Sequence, residues 1–301
     1  MPPRPHILVV NGRKVRQPVF LIGAPFSGTD QLARALKRSP GFHVTIGQQS
    51  VLSVVYAFAR NPAIQRDRGE AAATVLRDAF AQAWQVTPHG CLSCSRACRE
   101  TGRVNGAGTC VEERDIIRYG DATSDLMYCA ESVVDAFPDA RIVQVIRDGR
   151  DVISAMLADS QTLSFFRRGM ASADGKAPNP FFGIETEQDL TAWAGLSPAG
   201  KAAMRWRGSV RKMARLRSSL EAEQLTTLRY EQMIRHPAAA TNAISEFIGA
   251  KLNPIGARDR LAGAAGPAVE PGGWRRLLTA AQLAEIEKVA GQDLRRVGYG
   301  S

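Results

Sequence analysis

Short apolar runs alternate with stretches of helical period along most of this chain. Residues 19–24 (Val-Phe-Leu-Ile-Gly-Ala) are apolar without interruption and end near glycine, the pattern of a parallel strand buried on both faces. A helix is expected over 29–37, where Leu32 and Leu36 stand four apart, and a second strand over 42–46. Helical period runs through 70–84, ahead of Pro88, and again through 125–137. Pro138-Asp139 makes a turn, and 141–147 (Arg-Ile-Val-Gln-Val-Ile-Arg) is the plainest buried strand. Helices follow over 151–159, 198–223, 237–248 and 280–297, with a strand over 226–230. Strands alternating with helices predict an α/β fold, three layers α/β/α around a central, mostly parallel sheet.

Two segments interrupt the alternation. Residues 87–119 hold four of the five cysteines and several glycines, and read as an irregular insertion. Residues 160–198, rich in Gly, Pro and Phe, read as a lid-like loop over a site. Phe165, Phe166, Phe181, Phe182 and Trp193 in that loop hint at an apolar or aromatic-bearing substrate. Residues 253–273 read as a Gly/Pro/Ala-rich linker. At 301 residues the chain has room for one domain, 1–301, carrying both interruptions. No run of 18 apolar residues occurs, so no integral membrane segment is expected. The four apolar residues 7–10 are too few for the core of a secretion signal, which points to a cytoplasmic location.

The formal net charge of +10 draws anions of any kind, from nucleic acid to phosphorylated cofactors. The densest basic segment runs from Arg205 through Arg207, Arg211, Lys212 and Arg215 to Arg217. No zinc-finger, homeodomain or RNP motif accompanies it, so nucleic acid is not the expected partner.

The chemistry concentrates at two strand ends. Gly23-Ala-Pro-Phe-Ser-Gly28-Thr29-Asp30 lies between a strand and a helix, where backbone N–H groups and the helix's positive end face an anion. Its Gly23-x4-Gly28 spacing is that of a P-loop, with Thr29 in place of the Walker lysine. That substitution disfavours an ATP-dependent phosphotransferase, as does the lack of a clear magnesium-binding aspartate, and the loop suits a single terminal phosphate. The second is Arg147-Asp-Gly-Arg150-Asp-Val-Ile-Ser154, delivered by the strand over 141–147. Two phosphate grips on separate strand ends imply a nucleotide phosphorylated at both its 3′ and 5′ positions.

With these motifs the chain resembles the sulfotransferases that use 3′-phosphoadenosine 5′-phosphosulfate (PAPS). The family's 5′ loop usually reads Pro-Arg/Lys-Ser-Gly-Thr-Thr, here Pro25-Phe26-Ser27-Gly28-Thr29-Asp30; its 3′ element reads Arg-Asp-x-Arg-Asp-Val-x-x-Ser. The likeness extends to Phe137-Pro-Asp-Ala-Arg-Ile-Val, Leu228-Arg-Tyr-Glu231 with His236-Pro237, Glu246-Phe-Ile-Gly249, Gly273-Trp-Arg-Arg276 and Val297-Gly-Tyr299. It implies a P-loop-like sulfotransferase fold, PAPS as co-substrate and adenosine 3′,5′-bisphosphate (PAP) as product. The acceptor would be a hydroxyl or amine of a small molecule, glycan or lipid. The resemblance puts Pro25 to Asp30 on the 5′ end, Arg147 and Ser154 on the 3′-phosphate, Tyr230 near the adenine, and Arg275 or Arg276 on the 3′-phosphate.

Three departures matter. Phe26 stands where the family has a cation that stabilises the transferring sulfuryl group, Asp30 adds negative charge beside an anion site, and the family serine falls at Ala155, one past Ser154. They motivate a second reading, a catalytically weakened relative that holds PAPS or PAP. Lys14, Arg16, Arg34 and Lys37 are the candidates to supply the missing cation. The base is expected at His43 or Asp30, with the Thr29 hydroxyl assisting at the 5′ end; Gln48 and Gln49 sit where some relatives offer a glutamate. Cys91-x2-Cys94-x3-Cys98-x11-Cys110 suits a tetrahedral structural zinc, with a disulfide pair, an iron–sulfur cluster and unliganded thiols as the other readings. Cys129, among Leu126, Met127 and Val133, reads as core.

Overall fold

A computed structural model describes residues 7–64, 69–87, 90–91, 94–104, 108–168, 177–255 and 270–300. Its centre is a five-stranded sheet of β1 (Val19–Gly23), β2 (Phe42–Thr45), β3 (Arg118–Asp121), β4 (Arg141–Ile146) and β5 (Leu225–Arg229), in the order β2-β3-β1-β4-β5. All neighbouring pairs are parallel. Every residue of central β1 is buried, which is why its sequence is apolar without alternation.

The two faces are separately filled. Val19, Leu21, Val143 and Val145 pack with Leu32 and Leu36 of α1 (Thr29–Lys37) and with Ile244 and Ile248 of the helix Pro237–Ile248. Phe20, Ile22 and Ile142 point the other way, into a core with Val55 of α2 (Gln49–Arg60), Phe80 of α3 (Gly69–Ala83) and Trp84. Trp206 and Met213 of the long helix Pro198–Ser219 complete it. Period-2 alternation within each strand therefore separates two cores, and the three-layer α/β/α fold follows.

The strand order creates a switch point. From β1 the chain passes through α1 toward β2 on one side; from β4 it leads to β5 on the other. The helix after β1 covers one face, and the helix after β4 (Gly149–Ala158) buries Val152, Ile153 and Met156 in the opposite one. Such a crevice between two oppositely leading strand ends is where open α/β sheets bind ligands.

Several elements differ from the sequence expectation. β3 and α2 were not foreseen, and 125–137 begins as a 3-10 turn (Ser124–Cys129) before the helix Ala130–Ala136. The insertion contains α4 (Arg96–Gly102). Within 160–198 lie two helices, Ser160–Arg168 and Glu187–Trp193, the second started by a capping box between Thr186 and Asp189; 169–176 fall outside the described residues, as do 256–269 of the linker. Phe166, Phe181, Phe182 and Trp193 are all buried and meet one another, so these aromatics are core rather than the lining of an open lid. The basic stretch is paired internally: Arg205 with Asp125, Arg207 with Asp189, Arg211 with Asp293 and Glu185, Lys212 with Glu131, and Arg215 with Glu185. Among the described residues, no helix is long and apolar enough to cross a membrane.

Candidate functional site

At the C-terminal end of β1 the chain turns sharply before α1. Phe26 has φ 66° and Gly28 φ 97°, both in the left-handed region, and the Ser27 amide donates to Ala24 O at 3.0 Å. Alternation of hand along such a turn points successive N–H groups to one side, a concavity suited to an anion. Gly28 is obligatory twice over. Its φ disfavours an L side chain, and a Cβ there would stand 2.4 Å from the Tyr230 ring. No side chain caps α1, leaving the Thr29 and Asp30 N–H groups of its first turn open to an anion while Gln31 N bonds Gly28 O. Ser27 is buried and its Oγ has no hydrogen-bond partner, a polar group aligned with no protein acceptor.

The end of β4 reaches this loop. Arg147 is buried, donates from Nη1 to Phe26 O at 3.0 Å, and lies 4.3 Å from the centre of the Tyr230 ring. Tyr230, at the end of β5, in turn touches Gln31 of α1 through its hydroxyl (3.4 Å). Loop, arginine and tyrosine, widely separated in sequence, are thus one cluster. Burial pushes the Tyr230 phenol up, with Arg147 opposing the shift, so the ring is neutral.

A second cluster surrounds the next helical turn. Asp148 caps the helix Gly149–Ala158 and is bound by Arg150 through Nε (3.0 Å) and Nη2 (2.8 Å). Asp151, fully buried, accepts from Gly272 N (2.7 Å) and Trp274 N (2.9 Å), pinning the C-terminal segment. Arg150 (4.2 Å) and Arg275 (4.5 Å) both lie over the Trp274 ring, and its indole N–H is buried without a partner. Arg275 and Arg276 are exposed, the latter paired with Glu270. Ser154 is buried and donates to Asp151 O at 2.9 Å, an internal bond one turn back along its helix.

The acid–base candidates separate. Asp30 is largely exposed and bound to Arg34 at 3.0 Å, which offsets its charge beside the loop. His43, on β2, is fully buried and faces the cysteine insertion, with Nδ1 3.7 Å from Cys110 Sγ. Among the proposed replacement cations, Lys37 is turned toward Cys98 and Cys110, Arg34 toward Asp30, and Lys14 and Arg16 are exposed. Gln48 is fully buried with neither amide atom partnered.

One carboxylate was not singled out from sequence. Asp121 ends β3, the strand between β1 and β2, and is fully buried. It accepts from Thr45 Oγ1 (2.7 Å) and Thr123 N (2.8 Å), yet burial outweighs these bonds and pushes its carboxyl up to about 6. Its polar, glycine-containing strand, Arg-Tyr-Gly-Asp, offered only the position before Ala122-Thr123 as a signal.

Comparison with known proteins gives a consistent family. The model of the sulfotransferase family matches residues 18–254. Among solved structures, the sulfotransferase domain from the Synechococcus PCC 7002 olefin synthase shares 14% identity, covering 92% of this chain and 94% of its own, with a TM-score of 0.46. A sulfotransferase from Alicyclobacillus acidocaldarius shares 17% identity over 94% of this chain and 98% of its own, TM-score 0.42. A mouse sulfotransferase, SULT7A1, complexed with PAP, shares 16% identity over 93% and 86%, TM-score 0.44. No curated protein matches the chain.

Proposed function

This chain belongs to the sulfotransferase family, and from that premise we propose that it transfers the sulfuryl group of PAPS to an acceptor hydroxyl or amine. The observation that carries the reading is the meeting of the β1 loop, Arg147 and Tyr230 at the switch point of the sheet. The loop amides of Gly28 and Thr29, with the Thr29 hydroxyl and the unpartnered Ser27 Oγ, hold the 5′-phosphosulfate, while the Ser27 amide closes the turn on Ala24 O. Arg147 takes the 3′-phosphate, Ser154 turns its hydroxyl from Asp151 O to join it, and Arg275 or Arg276 closes over it from the C-terminal segment that Asp151 anchors. Tyr230 lies beside the adenine.

Transfer requires little covalent help from the protein: in-line placement, charge stabilisation and a base for the acceptor proton. We assign the base to Asp121. A carboxyl near 6 is matched to proton abstraction at neutral pH, and it ends the strand beside β1. His43 faces the thiols instead. The acceptor proton passes to the carboxylate as the acceptor oxygen or nitrogen bonds to sulfur and PAP leaves. Phe26 in place of a cation favours a second reading, a relative that binds PAPS or PAP with weak turnover.

The test is mass-spectrometric detection of PAP and sulfated product from PAPS with panels of phenols, alcohols, amines, glycans and lipids. Acceptor-dependent PAP release supports the transferase. Tight PAPS binding with no release from any acceptor supports the binding relative, and magnesium-dependent consumption of ATP contradicts both.

A further inference from the structure

The insertion's four thiols gather around two nitrogen donors from the sheet layers. Lys37, the last residue of α1, is 4% exposed, and its Nζ donates to Val44 O (2.6 Å), Cys98 Sγ (3.1 Å) and Cys110 Sγ (3.1 Å). The three protons of the ammonium are thereby accounted for, two of them on sulfur. The Cys91 thiol meets those of Cys110 and Cys94, and Cys94 meets Cys98, so the four form a continuous string. The ligand atoms of His43, Cys91 and Cys110 lie within 4.8 Å of one another. Ser95 caps α4, accepting from Cys98 N at 3.1 Å, and its hydroxyl donates to Ile46 O just past β2.

Charge decides among the readings of these cysteines. A buried ammonium needs compensating negative charge, and the partners of Lys37 are one carbonyl and two sulfurs, with no carboxylate in ion-pair reach among the described residues. The buried Asp121 carboxylate acts on Lys37 through space, but neutral thiols or a disulfide would leave the ammonium with no charged group in contact. Several thiolates crowded together repel one another unless a further cation sits among them, and the x2 spacing of Cys91 and Cys94 is that of a zinc ligand pair.

We propose that Cys91, Cys94, Cys98 and Cys110 hold one zinc ion as four thiolates, with Lys37 and His43 as N–H donors to the ligating sulfurs. Binding converts four thiols to thiolates and releases their protons; the zinc–thiolate group is then dianionic, and Lys37 removes half of that charge. The ion fastens the insertion to the end of α1 and to β2, the two elements that follow the phosphate loop. Outer donors of this kind tune metal affinity without binding the metal. The inference is independent of the reading of the nucleotide site.

The test is metal analysis of the intact protein, purified without chelator, together with replacement by cobalt. One zinc per chain is expected, and the cobalt form should show intense thiolate-to-metal charge transfer with tetrahedral ligand-field bands, scaled to four thiolates. Cys91→Ser, Cys94→Ser, Cys98→Ser and Cys110→Ser should each lose the stoichiometric ion. His43→Asn should keep it, and Lys37→Met should keep it with affinity weaker by about 10–100-fold. Should the serine variants fail to fold, the wild-type cobalt spectrum still decides. A chain that takes up neither zinc nor cobalt, or whose unreduced mass shows the loss of two hydrogens per bridge, overturns the proposal. So does a three-thiolate spectrum, or loss of zinc in His43→Asn with retention in Cys98→Ser.

Discussion

Replacing Asp121 by asparagine should separate what this residue does for the fold from what it does for the reaction. The asparagine can keep both contacts, Oδ1 accepting from Thr123 N and Nδ2 donating to Thr45 Oγ1, while removing the charge. Burial raises the carboxyl from its ordinary value of 3.8 to about 6 in the fold. Below about pH 4 the acid is neutral in both folded and unfolded chains and carries no penalty. Between about 4 and 6 the unfolded chain ionises first, so wild-type stability falls as pH rises, and above about 6 the full penalty stays. A shift of roughly two units corresponds to about 3 kcal/mol, and full burial means solvent screening does not reduce it. Urea unfolding of both proteins should give similar stabilities near pH 4 and a variant more stable by about 3 kcal/mol near pH 7.5. At that pH the variant should bind PAP as wild type does but turn over PAPS at least about 100-fold more slowly, the loss expected of a missing base. A stability difference that does not change with pH would refute the burial argument. Full turnover by the variant would refute the assignment of the base.

Three further outcomes follow from the same geometry. Arg147→Met removes the bond to Phe26 O and the charge over Tyr230, and isothermal titration should show PAP binding weakened by about 10–100-fold, the share of one charge-assisted phosphate contact. Asp151→Asn turns an amide N–H toward Gly272 N or Trp274 N, so one donor loses its acceptor; thermal unfolding should report a loss of about 1–3 kcal/mol, with faster tryptic cleavage at Arg275 and Arg276. Phe26→Lys restores a cation at the loop, and PAP release under saturating PAPS should rise by about tenfold or more, as expected for charge stabilisation at a transferring group.

The parts of the molecule that were legible in sequence are those built from contiguous residues. β1, and β4 apart from Arg141 and Gln144, are apolar because both faces are covered, and the loop after β1 carries Gly28 where the backbone turns left-handed and meets a ring, and Gly23 where a Cβ would meet Ser27 Oγ and Val145 O. β3 escaped notice because it is four residues long and mostly polar. Its Gly120 is there because a Cβ would approach Val19 O to 2.8 Å, a requirement set by a neighbouring strand. α2 was readable in principle, since Val51, Val55, Phe58 and Ala59 recur at helical spacing, but its β-branched residues blurred the pattern. The spacing of the cysteines suggested a metal; Lys37 and His43, which sharpen that suggestion, come from elements about 50 to 70 residues away and share no local pattern with them. Asp121 was invisible for the same reason, its chemistry arising from burial between two strands rather than from any motif.

A site for a nucleotide with two separate phosphate groups should show itself in thermal unfolding with PAP, ADP and ATP, each with and without magnesium. A ligand that binds only the folded chain stabilises it by RT ln(1 + [L]/Kd) and so raises its melting temperature. The expected result is a magnesium-independent rise with PAP, smaller with ADP, and lost for PAP in Arg147→Met. No rise with PAP, or a rise confined to ATP with magnesium, would show that the two-phosphate site does not exist.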